Sequence, residues 1–177
     1  MILVKHFFLI EAQDYSVAQM VGKIVLFIPG AIYFVMFPRA SSLHASNNST
    51  TAILRRSVLL ASILSLCAVI LFNLFPDAAF RIISRAYNSQ IITLSRVFSF
   101  AMFFYALSNI LFYYQLSVEK YDFIKPLSVI TAAIFVFLWF FHRSALWVIT
   151  VMFIGSVIIF FLNLNSAFKI SVAHEKH

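Results

Sequence analysis

Two cations stand where a membrane-spanning segment would bury them, and they are the residues of this sequence best placed to do chemistry. Arg96 interrupts the run from Ile91 to Leu116, which is otherwise almost wholly apolar, aromatic or small. Lys23 lies inside a second such run, Val17 to Phe37. A cation at the centre of a membrane helix costs about 2.5–3.5 kcal/mol on insertion scales, so it must snorkel, pair, or face a wet cavity. No acid lies within any apolar run: Glu11, Asp14, Asp77, Glu119, Asp122 and Glu175 all fall at ends or in connecting segments. A cationic interior without counter-charges suits an anionic substrate. Arginine can hold a phosphate with paired hydrogen bonds, and lysine offers a point charge.

The neighbours of these cations are patterned. Ser16, Gln19 and Lys23 recur at i, i+3 and i+7, a polar stripe on one helical face. Ser95, Ser99, Ala106, Asn109 and Tyr113 form a second small-and-polar stripe with Arg96 at its edge. Such stripes face protein or water in preference to lipid. Two readings of Lys23 and Arg96 stand side by side: they line a cavity and bind phosphate, or their long stems snorkel to the outer headgroups. Gln19, Ser99, Asn109 and Tyr113 are cavity candidates, with helix–helix contact as the alternative for Asn109 and Tyr113. Pro29 and Gly30 in mid-span are hinge candidates, serving either as a flexing point or as a static kink.

The elements that must position these residues are membrane helices. The chain is 63% hydrophobic and 11% charged, against roughly 25% charged in soluble domains, so a water-soluble globule is excluded. The apolar runs are continuous, whereas outer-membrane strands alternate polar and apolar over about ten residues. The expectation is an all-α polytopic membrane protein, a single transmembrane domain over 1–177. Its spans fall at about 17–37, 57–75, 91–116, 126–141 and 145–164. Trp139, Phe140 and Phe141 end the fourth span in an interfacial aromatic cluster, and the tight link His142–Ser144 makes the last two spans an antiparallel hairpin. Between the second and third spans, Phe80, Ile83 and Tyr87 share a helical face while Arg81 and Arg85 share another. A short interfacial amphipathic helix over 77–87 is expected there, with a loop carrying two solvated arginines as the alternative. Ser41–Thr51 reads as a polar loop.

Lys and Arg counts set orientation. Arg39, Arg55, Arg56, Lys120, Lys125, Lys169 and Lys176 lie on one side, Lys5, Arg81, Arg85 and Arg143 on the other. The C-terminus is therefore expected in the cytoplasm and Met1 outside. Met1–Val4 then reads as the stump of an earlier span, and the chain as a truncated frame or one half of a larger transporter. The cations cluster at span ends rather than in a basic stripe, which speaks against nucleic acid as a partner. The lone Cys67 offers no disulfide framework, the histidines have no metal-ligand spacing, and no nucleotide-binding or hydrolase motif is present. An enzyme is not expected, nor a cofactor.

The stretch Tyr15-Ser16 through Gly22-Lys23-Ile24, then Phe27-Ile28-Pro29-Gly30-Ala31-Ile32 and Phe37-Pro38-Arg39, resembles the oligosaccharide flippases. These are the polysaccharide-export (Wzx-like) family of the multidrug/oligosaccharidyl-lipid/polysaccharide transporter superfamily. The opening Ile2–Phe7, the Phe75-Pro76 corner and Tyr105-Ala106-Leu107 continue the resemblance, while Ser84 departs from the Gly common before the tyrosine matched by Tyr87. It implies one lobe of a two-lobe transporter, the C-terminal half only. It also implies alternating-access flipping of polyprenyl-diphosphate-linked oligosaccharide across the cytoplasmic (inner) membrane for polysaccharide biosynthesis. The partners implied are a missing N-terminal lobe or a second copy in a homodimer. Two alternatives remain open: a non-transporting membrane scaffold or remnant lobe, and a multidrug exporter of the same superfamily, which the absent intramembrane carboxylates disfavour.

Overall fold

In lipid, every backbone N–H and C=O must be bonded inside its own segment, and long apolar runs meet that demand only by coiling. The computed structural model describes residues 12–76, 89–140 and 144–174, and every regular element among them is an α-helix. In chain order these are α1 (Ala12–Phe27), α2 (Gly30–Ala45), α3 (Thr51–Leu74), α4 (Ser89–Ser117), α5 (Ile124–Phe140) and α6 (Ala145–His174). α1 and α2 together form one apolar stretch of 32 residues, Asp14–Ala45; with α3, α4 and α6 that makes 4 helices long and apolar enough to cross a bilayer, and α5 is a shorter apolar helix. The chain is a multi-pass helical membrane protein.

The first span breaks at Pro29, whereas Pro38 lies inside α2 without ending it. Pro29 has no N–H to continue the ladder. The last bond of the first half runs from the Ile28 amide to the Ile24 carbonyl (3.1 Å), and α2 restarts with Ile32 bonded to the Pro29 carbonyl (3.0 Å). Pro126 causes no break, because it lies in the first turn of α5, where amides have no helical partner. α2 and α4 both end with a residue in the left-handed region, Asn47 (φ 54) and Glu119 (φ 55). Each end carries the paired bonds of a Schellman stop: Asn48 to Leu43 and Asn47 to His44 in α2, Lys120 to Gln115 and Glu119 to Leu116 in α4.

Most helices run past the apolar stretches expected to span. α2 continues through Arg39–Ala45, so the polar loop expected at Ser41–Thr51 shrinks to 46–50, and α6 continues ten residues beyond Leu164. Hydropathy marks only the part in lipid, while a helix carries on wherever its residues tolerate it. The expected interfacial helix at 77–87, the Met1–Val4 stump and most of the His142–Ser144 link lie outside the described residues.

α4 is the hub, packing against α1, α2, α3 and α6. Pairings along its length fix direction. Phe98 meets Tyr15, and Tyr113 stacks on Tyr33, so α1–α2 runs parallel to α4. Asn73 reaches Ser99 while Thr50 reaches Tyr114, so α3 runs antiparallel. Phe104 meets Phe153 and Gln115 bonds Asn163, so α6 is again parallel. α5 descends against α6, with Leu138 beside Val148 and Ile149, and Ile134 over Gly155. One end of the bundle thus gathers the starts of α1, α4 and α6, and the opposite end holds the α2–α3 turn and the α4–α5 turn.

Several polar side chains buried between helices are bonded across them, whereas the buried Ser65 and Ser95 hydroxyls have no partner among the described residues. The Thr50 and Tyr114 hydroxyls share a 2.7 Å bond with neither side chain exposed. Gln115 donates to Asn163 Oδ1 at 3.1 Å and accepts from the Ser166 hydroxyl at 2.9 Å. Close approach of α1 to α4 depends on Gly22, where a β-carbon would collide with the Phe98 ring.

Candidate functional site

Lys23 opens into a cavity of about 590 Å³ bounded by α1, α4, α5 and α6. Its walls are mostly apolar, with Phe98, Met102, Leu127 and Ile159 among them. The polar groups are Gln19, Lys23, Tyr105, Asn109, Thr131 and Ser156. No carboxylate lines it, and the Lys23 ammonium has no hydrogen-bond or ion-pair partner among the described residues. The adjacent Gly22 abuts Phe98 and Met102, near the middle of α4. Lys23 therefore enters at about mid-height of the bundle, some 16 Å along the axis from the start of α1 at 1.5 Å per residue. Lys23 is itself exposed, as Arg96 is, so what distinguishes it is its place on the cavity lining and its position along the bundle, not burial.

Gln19, Lys23 and Asn109 are brought together on this cavity by the helical periods of α1 and α4. Arg96 is not. It shares an exposed α4 face with Thr93 and Phe100, about 10 Å from the first residue of that helix, while Leu94, Ser95, Phe98 and Ser99 take the buried side. Ser99 is buried and engaged: its hydroxyl donates to the Arg96 carbonyl (2.8 Å) and accepts from Asn73 (3.3 Å). Tyr113 lies flat on Tyr33, ring centroids 4.3 Å apart and planes 2° from parallel, with Phe37 edge-on to it. Pro29 and Gly30 are buried at the α1–α2 break, away from the cavity lining.

Thr131 and Ser156 add the polar groups on the α5–α6 wall that the sequence did not single out. Both sit in uninterrupted apolar helices, where no change of composition marks which face turns inward.

Comparison with protein-family models, curated proteins and solved structures finds no match.

Proposed function

We propose that this chain binds the phosphorylated head of an anionic, lipid-linked substrate at the Lys23 cavity and takes part in moving it across the cytoplasmic membrane. The observation that carries this reading is an ammonium with no partner among the described residues, lining a mostly apolar cavity at about mid-height of the bundle. A phosphate gains a charge-assisted contact from Lys23, and Gln19, Asn109 and Tyr105 supply further donors. The apolar walls accept the first part of a polyprenyl chain. The likeness of the Tyr15–Arg39 stretch to the oligosaccharide flippases favours a diphosphate-linked sugar as the cargo. A space of about 590 Å³ suits a diphosphate and a sugar unit, since ligand pockets run about 300–1,000 Å³. A longer glycan needs more room, which a second lobe or a second copy would supply. In this reading Arg96 meets headgroups at the end of the bundle that holds the start of α4, and the opposite, cation-richer end is cytoplasmic. Export of cationic drugs gains no comparable support, because no carboxylate among the described residues lines the cavity to hold them.

The test is binding of a short-chain polyprenyl diphosphate to the purified chain in detergent, followed by its transbilayer movement in proteoliposomes. Lys23→Ala should weaken binding about tenfold or more, the scale of a lost charge-assisted hydrogen bond, and Lys23→Arg should restore much of it. Equal binding by wild type and Lys23→Ala would remove the cavity from the mechanism.

A further inference from the structure

On the far side of α4 from the Lys23 cavity, α2 and α3 enclose a second concavity of about 410 Å³. It is lined by Arg39 and Arg56 and by Ala31, Ile32, Val35, Met36, Ile53, Ser57 and Leu60. Because α2 and α3 are an antiparallel hairpin joined by residues 46–50, Arg39 stands level with Arg56, while Ala31 and Val35 stand toward Leu60 and the bundle's middle. The groove is therefore graded: two guanidiniums toward the hairpin turn, apolar walls toward the membrane centre. Arg39 and Arg56 are exposed and have no hydrogen-bond or ion-pair partner among the described residues, and no acid lines the groove.

We propose that this groove is a binding site for an anionic glycerophospholipid, its phosphate held between Arg39 and Arg56 and an acyl chain lying along Val35 and Leu60. Charge complementarity selects the head, since a planar guanidinium binds phosphate through paired hydrogen bonds. The polarity gradient selects a lipid over a free anion, which would leave the exposed Val35 and Leu60 uncovered. Basic pockets between membrane helices near an interface commonly take acidic headgroups in this manner. The site lies outside the Lys23 cavity and does not depend on what that cavity binds.

Native mass spectrometry of the purified full chain, mixed with equimolar phosphatidylglycerol and phosphatidylcholine of matched chains, tests it. Wild type should retain phosphatidylglycerol preferentially. Arg39→Gln and Arg56→Gln should each cut that preference about fivefold or more, the scale of one cation near a headgroup. Arg55→Gln, one residue away and outside the groove lining, should leave most of it intact. Val35→Trp, which fills the apolar half and keeps both arginines, should also reduce retained lipid. Millimolar inorganic phosphate should displace little. The proposal is overturned if wild type shows no preference, if all three arginine variants lose it equally, if Val35→Trp leaves retained lipid unchanged, or if free phosphate displaces the lipid fully.

Discussion

Replacing Gln115 with leucine should loosen α4 from α6 by an amount the structure allows to be worked out. Gln115 is fully buried, donating to Asn163 and accepting from Ser166, so the variant removes two interhelical bonds while nearly conserving volume. Interhelical hydrogen bonds in membrane proteins average about 0.6 kcal/mol and reach about 1.7, which brackets the loss at about 1–3 kcal/mol. Two compensations push it toward the lower half. Asn163 keeps its 2.8 Å bond to the Ile159 carbonyl, and the Ser166 hydroxyl can turn to a carbonyl of the preceding helical turn. The expected cost is therefore about 1–2 kcal/mol, read as a shift of the unfolding midpoint when the purified protein is titrated with sodium dodecyl sulfate in mixed micelles and followed by circular dichroism. A cycle with Ser166→Ala should return a coupling of about 0.6–1.7 kcal/mol. A Gln115→Leu variant as stable as wild type, or a coupling of zero, would refute the idea that Gln115, Asn163 and Ser166 fasten the two helices.

Gly22→Val should disrupt the α1–α4 contact by forcing the Phe98 ring from its place, costing about 1–3 kcal/mol in the same titration, whereas Gly30→Ala, whose new carbon meets only the Tyr33 side chain, should cost less. Glu119→Gly should stabilise by about 1 kcal/mol, since residue 119 holds a positive φ of 55° that glycine adopts without a β-carbon penalty; no gain would mean its side chain contributes an unseen contact. Cys67, exposed on the flank of α3 about two turns before its end at Leu74, should resist a membrane-impermeant maleimide in open vesicles and react after detergent unfolding. Rapid labelling in the intact bilayer would place that face in water.

The run of apolar residues made the helical class legible, and Pro29 marked the break in the first span. Helix ends were less so, because Arg39–Ala45 and the C-terminal third of α6 coil without being apolar. The stripe Gln19–Lys23 was readable because a polar pair four residues apart stands out against Val and Ile. Arg96 was harder. α4 is apolar nearly all round, so spacing alone could not say that Arg96 turns outward while Ser99, three residues on, turns in. The pairing of Arg39 with Arg56 was invisible for another reason: they are far apart in sequence, and only the Asn47 turn sets them level.

The uneven grip on α5 has a consequence for entry to the Lys23 cavity. That helix supplies one wall through Leu127, Thr131 and Ile134, yet Leu138 is its single buried side chain, and its main support is α6. The other walls belong to helices anchored on the central α4. A panel fastened along one edge swings more readily than the frame around it. Passage between lipid and cavity should accordingly be gated at α5, with exchange of its backbone amides outpacing that of α4 and bulky replacements at Thr131 closing the doorway without touching the charge inside.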